Sequence, residues 1–128
     1  MPAIFLRFAA PLAGAALLAA CASTMAQMPA RVADGVLVGP NGMTLYTFDR
    51  DVMGAGKSAC SGPCATNWPP LMAASADSGN GEWTVVTRDD GSRQWAYRGT
   101  PVYYWARDGK PGDRTGDGFN NAWRLARP

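Results

Sequence analysis

There is no histidine among the 128 residues. That absence removes Ser-His-Asp and Cys-His catalysis, histidine metal sites and histidine haem ligation together. Basic residues form no run, and a net charge of +2 gives no electrostatic claim on nucleic acid. The charged side chains read as a solvated surface with scattered ion pairs. Residues 8–20, the apolar run after Arg7, number 13, short of the about 20 a membrane-crossing helix needs. With Gly 15 and Pro 10, turns are many and long helices are not expected.

What is present begins with a leader. One base, Arg7, precedes the uncharged run, which has the length of a signal-peptide core. The run ends in Leu18-Ala19-Ala20-Cys21. This resembles a bacterial lipobox, in which the cysteine is acylated and becomes the mature N-terminus. The rival cut is after Thr24-Met25-Ala26, a small-x-small site. Residues 1–20 are therefore expected to be a signal peptide and 21–33 a lipidated N-terminus and tether. Ala22 after the cysteine leans to an outer-membrane address facing the periplasm; a soluble periplasmic or secreted protein is the alternative.

With Cys21 used for lipid, Cys60 and Cys64 remain. An even pair in an exported chain reads as a disulfide. Its short loop, Cys60-Ser-Gly-Pro-Cys64, would clamp a local turn. Copper(I) held by the two thiols with Met53 or Met72 is the competing chemistry, and it needs reduced thiols.

Strand signals follow. Val36-Leu37-Val38 and Met43-Thr44-Leu45-Tyr46-Thr47-Phe48 flank Asn41-Gly42, which predicts a hairpin. Trp83-Thr84-Val85-Val86, Arg93-Gln94-Trp95-Ala96-Tyr97 and Val102-Tyr103-Tyr104-Trp105 predict a meander with turns at Asp89-Asp90-Gly91 and Arg98-Gly99-Thr100-Pro101. The fold class expected is a small, mostly antiparallel all-β domain with short helical turns in loops.

The halves echo each other. Tyr46-Thr-Phe48-Asp-Arg-Asp51 matches Tyr103-Tyr-Trp105-Ala-Arg-Asp108, and each stretch leads through a glycine-rich loop to a tryptophan, Trp68 or Trp123. This predicts a duplicated unit that buries its face against its twin. The units are residues 34–72 and 82–128, joined by a linker at 73–81. Tyr46 with Phe48, and Tyr103 with Trp105, point to one strand face as core aromatics. Asp51 and Asp108 sit just past the strands, where they can accept N–H groups of the loops.

The sequence resembles a family of predicted bacterial lipoproteins with a repeated Tyr-x-(Phe/Trp/Tyr)-x-x-Asp motif, the secreted repeat of unknown function. Leu45-Tyr-Thr-Phe-Asp-Arg-Asp51 and Cys60-Ser-Gly-Pro-Cys64-Ala-Thr-Asn-Trp-Pro-Pro70 carry the resemblance in the first half. Gln94-Trp-Ala-Tyr-Arg-Gly-Thr-Pro-Val-Tyr-Tyr-Trp105 and Pro111-Gly-Asp-Arg-Thr-Gly-Asp-Gly118 carry it in the second. It implies export and no assigned activity. Family members often have Trp-His near the end, where this chain has Trp123-Arg124.

The remaining constellations are weak. Gly54-Ala-Gly56-Lys57-Ser58 lacks the first glycine of a phosphate loop and leads into a turn. Asp108, Asp113 and Asp117 lie in one glycine-rich loop and are candidate ligands for a hard cation, though Arg124 stands where an EF-hand needs its glutamate. Asp49 and Asp51 add carboxylates with nothing to fix a glycosidase separation. Five tryptophans and four tyrosines could form a stacking platform for glycans or simply fill a core. The reading that results is an exported envelope protein, non-enzymatic, that binds an envelope protein or glycan. It touches the membrane through its lipid and is expected to use no cofactor. A redox or metal-handling accessory using Cys60 and Cys64 or the Asp loop is the alternative.

Overall fold

The computed structural model describes Ala3 and residues 28–128. Apart from Ala3, the expected signal peptide, Cys21 and the expected tether before residue 28 lie outside the described residues. Within them the protein is mostly antiparallel strands, with one five-residue helix and one 3-10 turn.

Strand β1 (Arg31–Ala33) pairs with β2 (Val36–Val38) through a two-residue turn, Asp34-Gly35, both at positive φ. Such a turn matches the right-handed twist of its strands. This corrects the tether, which ends before residue 31. The sequence hid β1 because Arg31 and Val32 face solvent, leaving no alternation to read.

The hairpin predicted around Asn41-Gly42 is one bridge long, Val38 to Thr44. Beyond it β3 (Tyr46–Phe48) turns away and pairs with β7 (Trp123–Leu125), in the register Tyr46 to Leu125, Phe48 to Trp123. Helix α1 (Pro63–Asn67) contains the second cysteine of the Cys60–Cys64 loop and has proline in its first turn, where a missing N–H costs nothing. Strands β4 (Trp83–Thr87) and β5 (Arg93–Tyr97) form the longest ladder. The meander's third strand is β6 (Thr100–Pro101), not 102–105. Arg98 and Gly99, both at positive φ, close a two-residue turn, so pairing resumes at once and the chain then bends away. A 3-10 turn (Phe119–Asn121) precedes β7.

The duplication is visible as an approximate two-fold relation. At its centre Tyr46 and Tyr103 exchange both backbone hydrogen bonds, 2.7 and 2.9 Å. Leu45 N–H donates to Leu37 O in the first half, and Val102 N–H to Trp95 O in the second. Ala126 bridges Leu37 and Leu45, while Leu71 bridges Trp95 and Val102. The last extended segment of each half therefore lies between two extended segments of the other. Both buried clusters draw on both halves. One contains Leu37, Leu45, Leu71, Trp95, Val102 and Ala126; the other is aromatic and contains the motif residues.

Candidate functional site

The repeated motif converges at the two-fold centre. Tyr46 Oη donates to Asp108 Oδ2 at 2.7 Å, and Tyr103 Oη donates to Asp51 Oδ2 at 2.6 Å. Each tyrosine thus serves the aspartate of the opposite half. The loops close the same way: Ala59 N–H donates to Asp51 Oδ1 at 2.7 Å, and Thr115 N–H to Asp108 Oδ1 at 3.0 Å. Thr115 Oγ1 also donates to Asp108, at 2.6 Å, and Gly116 N–H reaches Tyr46 Oη at 3.3 Å.

The rings form a stack of four. Phe48 lies on Trp123 (centroids 4.3 Å), Trp123 on Trp68 (3.8 Å, planes 2° apart) and Trp68 on Trp105 (4.0 Å). Tyr46 meets Trp68 edge-on at 5.4 Å, and Tyr103 meets Trp123 edge-on at 5.2 Å. The edge-on contacts suit the ring quadrupoles. Gly116 makes the packing possible, since a Cβ there would come within 2.7 Å of Trp68.

The two ends of the exchange differ. Around Tyr103 lies a buried polar network that the sequence reading missed. Ser58 Oγ is 2.6 Å from Tyr103 Oη, whose own proton goes to Asp51. Arg88 donates to Ser58 Oγ (3.0 Å), to Gln94 Oε1 (2.7 Å) and to the carbonyl of Cys60. Gln94 in turn donates to Val102 O at 2.9 Å. Arg88 is only 6% exposed, so the expectation that charged side chains sit on a solvated surface fails there. Its setting, Thr87-Arg88-Asp89-Asp90-Gly91, reads as an exposed turn, and Asp89 and Asp90 are indeed outside. Strand alternation carried past Val86 and Thr87 puts Arg88 on the inner face, but a charge beside a turn reads as solvated.

Burial sets the electrostatics. It raises the Asp51 carboxyl above its usual range, partly opposed by the Ala59 N–H, the Tyr103 hydroxyl and the Arg88 charge. Burial, then the hydrogen bond to the partner aspartate, pushes both Tyr46 and Tyr103 well above an ordinary phenol.

Cys60 and Cys64 are joined, with Cα atoms 5.2 Å apart. Both sulfurs are therefore committed, and copper(I) held by thiols with Met53 or Met72 is set aside. Asp108, Asp113 and Asp117 do not converge. Asp113 accepts the N–H groups of Gly109 and Lys110, and Asp117 that of Leu125. Among the described residues no group of three or more potential metal ligands occurs. Asp49 forms an exposed bidentate pair with Arg124.

No tryptophan offers an open face, because all five are buried. The surface does hold a mainly apolar groove of about 430 Å³ between the ends of β3 and β7 and the β5–β6 turn, lined by Thr47, Met53, Tyr97, Arg98, Leu125 and Arg127. Among the described residues no helix is long and apolar enough to cross a membrane.

A family model described as a secreted repeat of unknown function matches the chain twice, over residues 30–72 and 84–127. The first match starts ahead of β1, in accord with the strand found there. Searches of curated proteins and of solved structures gave no match. The two matched stretches are the halves that exchange tyrosines and strands, and the chain belongs to this family of secreted repeats.

Proposed function

We propose that this exported protein is a non-enzymatic binding module of the cell envelope, anchored by lipid at Cys21 and facing the periplasm from the outer membrane. One observation carries the reading. The motif's aromatic rings, hydroxyls and carboxylates are consumed in holding the halves together. Recognition is then left to the surface, where an apolar groove stands open beside two arginines. Anchoring rests on Leu18-Ala19-Ala20-Cys21 at the end of the apolar run.

The test is mass spectrometry of the protein purified from its own envelope after cross-linking in intact cells. The expected result is an acylated N-terminal Cys21 and a discrete adduct with one envelope component. A mature N-terminus at Gln27 overturns the anchor. The absence of any adduct at reagent levels that capture a known envelope complex overturns the binding role.

A further inference from the structure

We propose that the groove beside Thr47 receives an aromatic side chain of a partner protein, flanked there by acidic residues. The proposal rests on the reading of the protein as a binding module. The duplication itself points to this occupant.

Thr47 and Tyr104 are equivalent, each the middle residue of its motif: Tyr46-Thr47-Phe48 and Tyr103-Tyr104-Trp105. In the second half the Tyr104 ring packs against the aliphatic core and over Gly39. It occupies the very space a side chain at residue 39 would need, since a Cβ there would lie 2.0 Å from Tyr104 Oη. By the two-fold relation Gly39 corresponds to Tyr97, each two residues beyond the carbonyl, Leu37 O or Trp95 O, that accepts from Leu45 or Val102. Were the Tyr97 ring laid over Thr47, the two sides would match with large and small residues exchanged. It is not. The Tyr97 ring packs against Trp83 at 4.9 Å, and its hydroxyl donates to Glu82 at 2.9 Å. The space over Thr47 that a ring fills on the other side is left as the groove of about 430 Å³.

The lining suits a ring with acidic neighbours. Leu125 and Met53 supply apolar contacts. Met53 is 73% exposed and unbranched, so it can fold over an entering ring. Arg127 has no carboxylate partner among the described residues. Arg98 uses Nε and Nη2 on Glu82 and leaves Nη1 for another acceptor. Cations on the rim select for carboxylates beside the ring and against basic neighbours.

The full-length protein in detergent is titrated with the end-blocked tripeptide Asp-Tyr-Asp, followed by saturation transfer to the tyrosine ring. Asp-Ala-Asp should bind about tenfold more weakly, and Lys-Tyr-Lys about fivefold more weakly. Thr47→Tyr should raise the melting temperature by filling the groove and abolish binding. Arg127→Glu, at an exposed site, should weaken binding about fivefold with the melt unchanged. The proposal is overturned if Asp-Tyr-Asp binds no better than Asp-Ala-Asp. It is equally overturned if folded Thr47→Tyr and Arg127→Glu both bind as wild type does. The cellular adduct separates the two readings. If Thr47→Tyr retains that adduct, the binding module stands and the groove is not its site; if wild type yields none, the module itself fails.

Discussion

Tyr46 hydrogen-bonds Asp108 across 62 residues of chain, while Asp51, its own motif partner five positions away, is held by Tyr103. A motif that looks like a local unit is therefore an intermolecular-style clasp made within one chain. Each half supplies the phenol hydroxyl that the other half's aspartate accepts.

Removing the Tyr103 hydroxyl should be costly. Tyr103→Phe leaves Asp51 Oδ2 and Ser58 Oγ without that partner in a buried setting. The expected loss is about 2 kcal/mol in urea unfolding. Tyr46→Phe should lose less, because Asp108 keeps both donors of Thr115. Additive effects in a Tyr103→Phe, Asp51→Asn cycle would show that the two groups do not act together.

Alkaline pH offers a separate check. Both motif tyrosines have phenols raised above their usual value in the folded protein. An unfolded tyrosine ionises near pH 10, so above that the unfolded state has fewer protons than the folded one. Stability is full below about pH 10 and falls as pH rises toward the folded values, by about 1.4 kcal/mol per pH unit for each tyrosine. Denaturant midpoints between about pH 9 and pH 11.5 should show this slope, and Tyr46→Phe should make it shallower. A flat profile would contradict the clasp.

Arg88 is expected to be structural. Arg88→Met removes donors from Gln94 Oε1, Ser58 Oγ and the Cys60 carbonyl together. We expect a loss of about 3 kcal/mol, since buried acceptors lose their partners. The Asp51 carboxyl should also titrate higher by NMR, because the nearby positive charge that favours its ionised form is gone. An unchanged Asp51 titration would detach Arg88 from the network.

Packing at the stack is tested by Gly116→Ala. The new methyl would lie 2.7 Å from Trp68 and 3.0 Å from Trp105, both within the ring stack. Overpacking of this kind costs about 1–3 kcal/mol. Near-ultraviolet circular dichroism should lose its tryptophan couplet, and an unaltered spectrum with an unaltered melt would refute the tight fit.

The disulfide should matter less. Cys60→Ser with Cys64→Ser opens a short loop, so the chain-entropy loss is about 2 kcal/mol and the fold should persist. Complete unfolding of the double variant at about 25 °C would give the bond a larger role than tying the first turn of α1 to Cys60.

Much of this was legible in the sequence, and the unread part has a physical cause. The antiparallel class, the duplication, and the Cys60–Cys64 bond follow from alternation, repeated spacing and cysteine parity. What pattern reading misassigned was partnership. The Asn41-Gly42 turn signalled a hairpin, yet β3 is bound to β7 because each half lends its last extended segment to the other. Such pairing has no local signature. Strand β1 was lost for a related reason, as an edge with two exposed side chains carries no alternation. Arg88 was missed because charge in a turn is ordinarily solvated, and its burial depends on Ser58 and Cys60 from the other half. The groove is invisible in sequence without the two-fold relation that pairs Thr47 with Tyr104.

The lending of segments between halves also governs when the protein can fold. In a secreted chain that leaves the membrane N-terminus first, β3 emerges without β7, and Tyr46 emerges without Asp108. Apart from the β1–β2 hairpin, the first half has no completed sheet until the second has crossed. Such long-range closure makes folding slow, because loop entropy is lost before contacts are gained. It also makes each half alone an exposed strand edge. The architecture thus ties maturation to completed export, and a holding chaperone beyond the membrane would find its longest window between the arrival of β3 and that of β7.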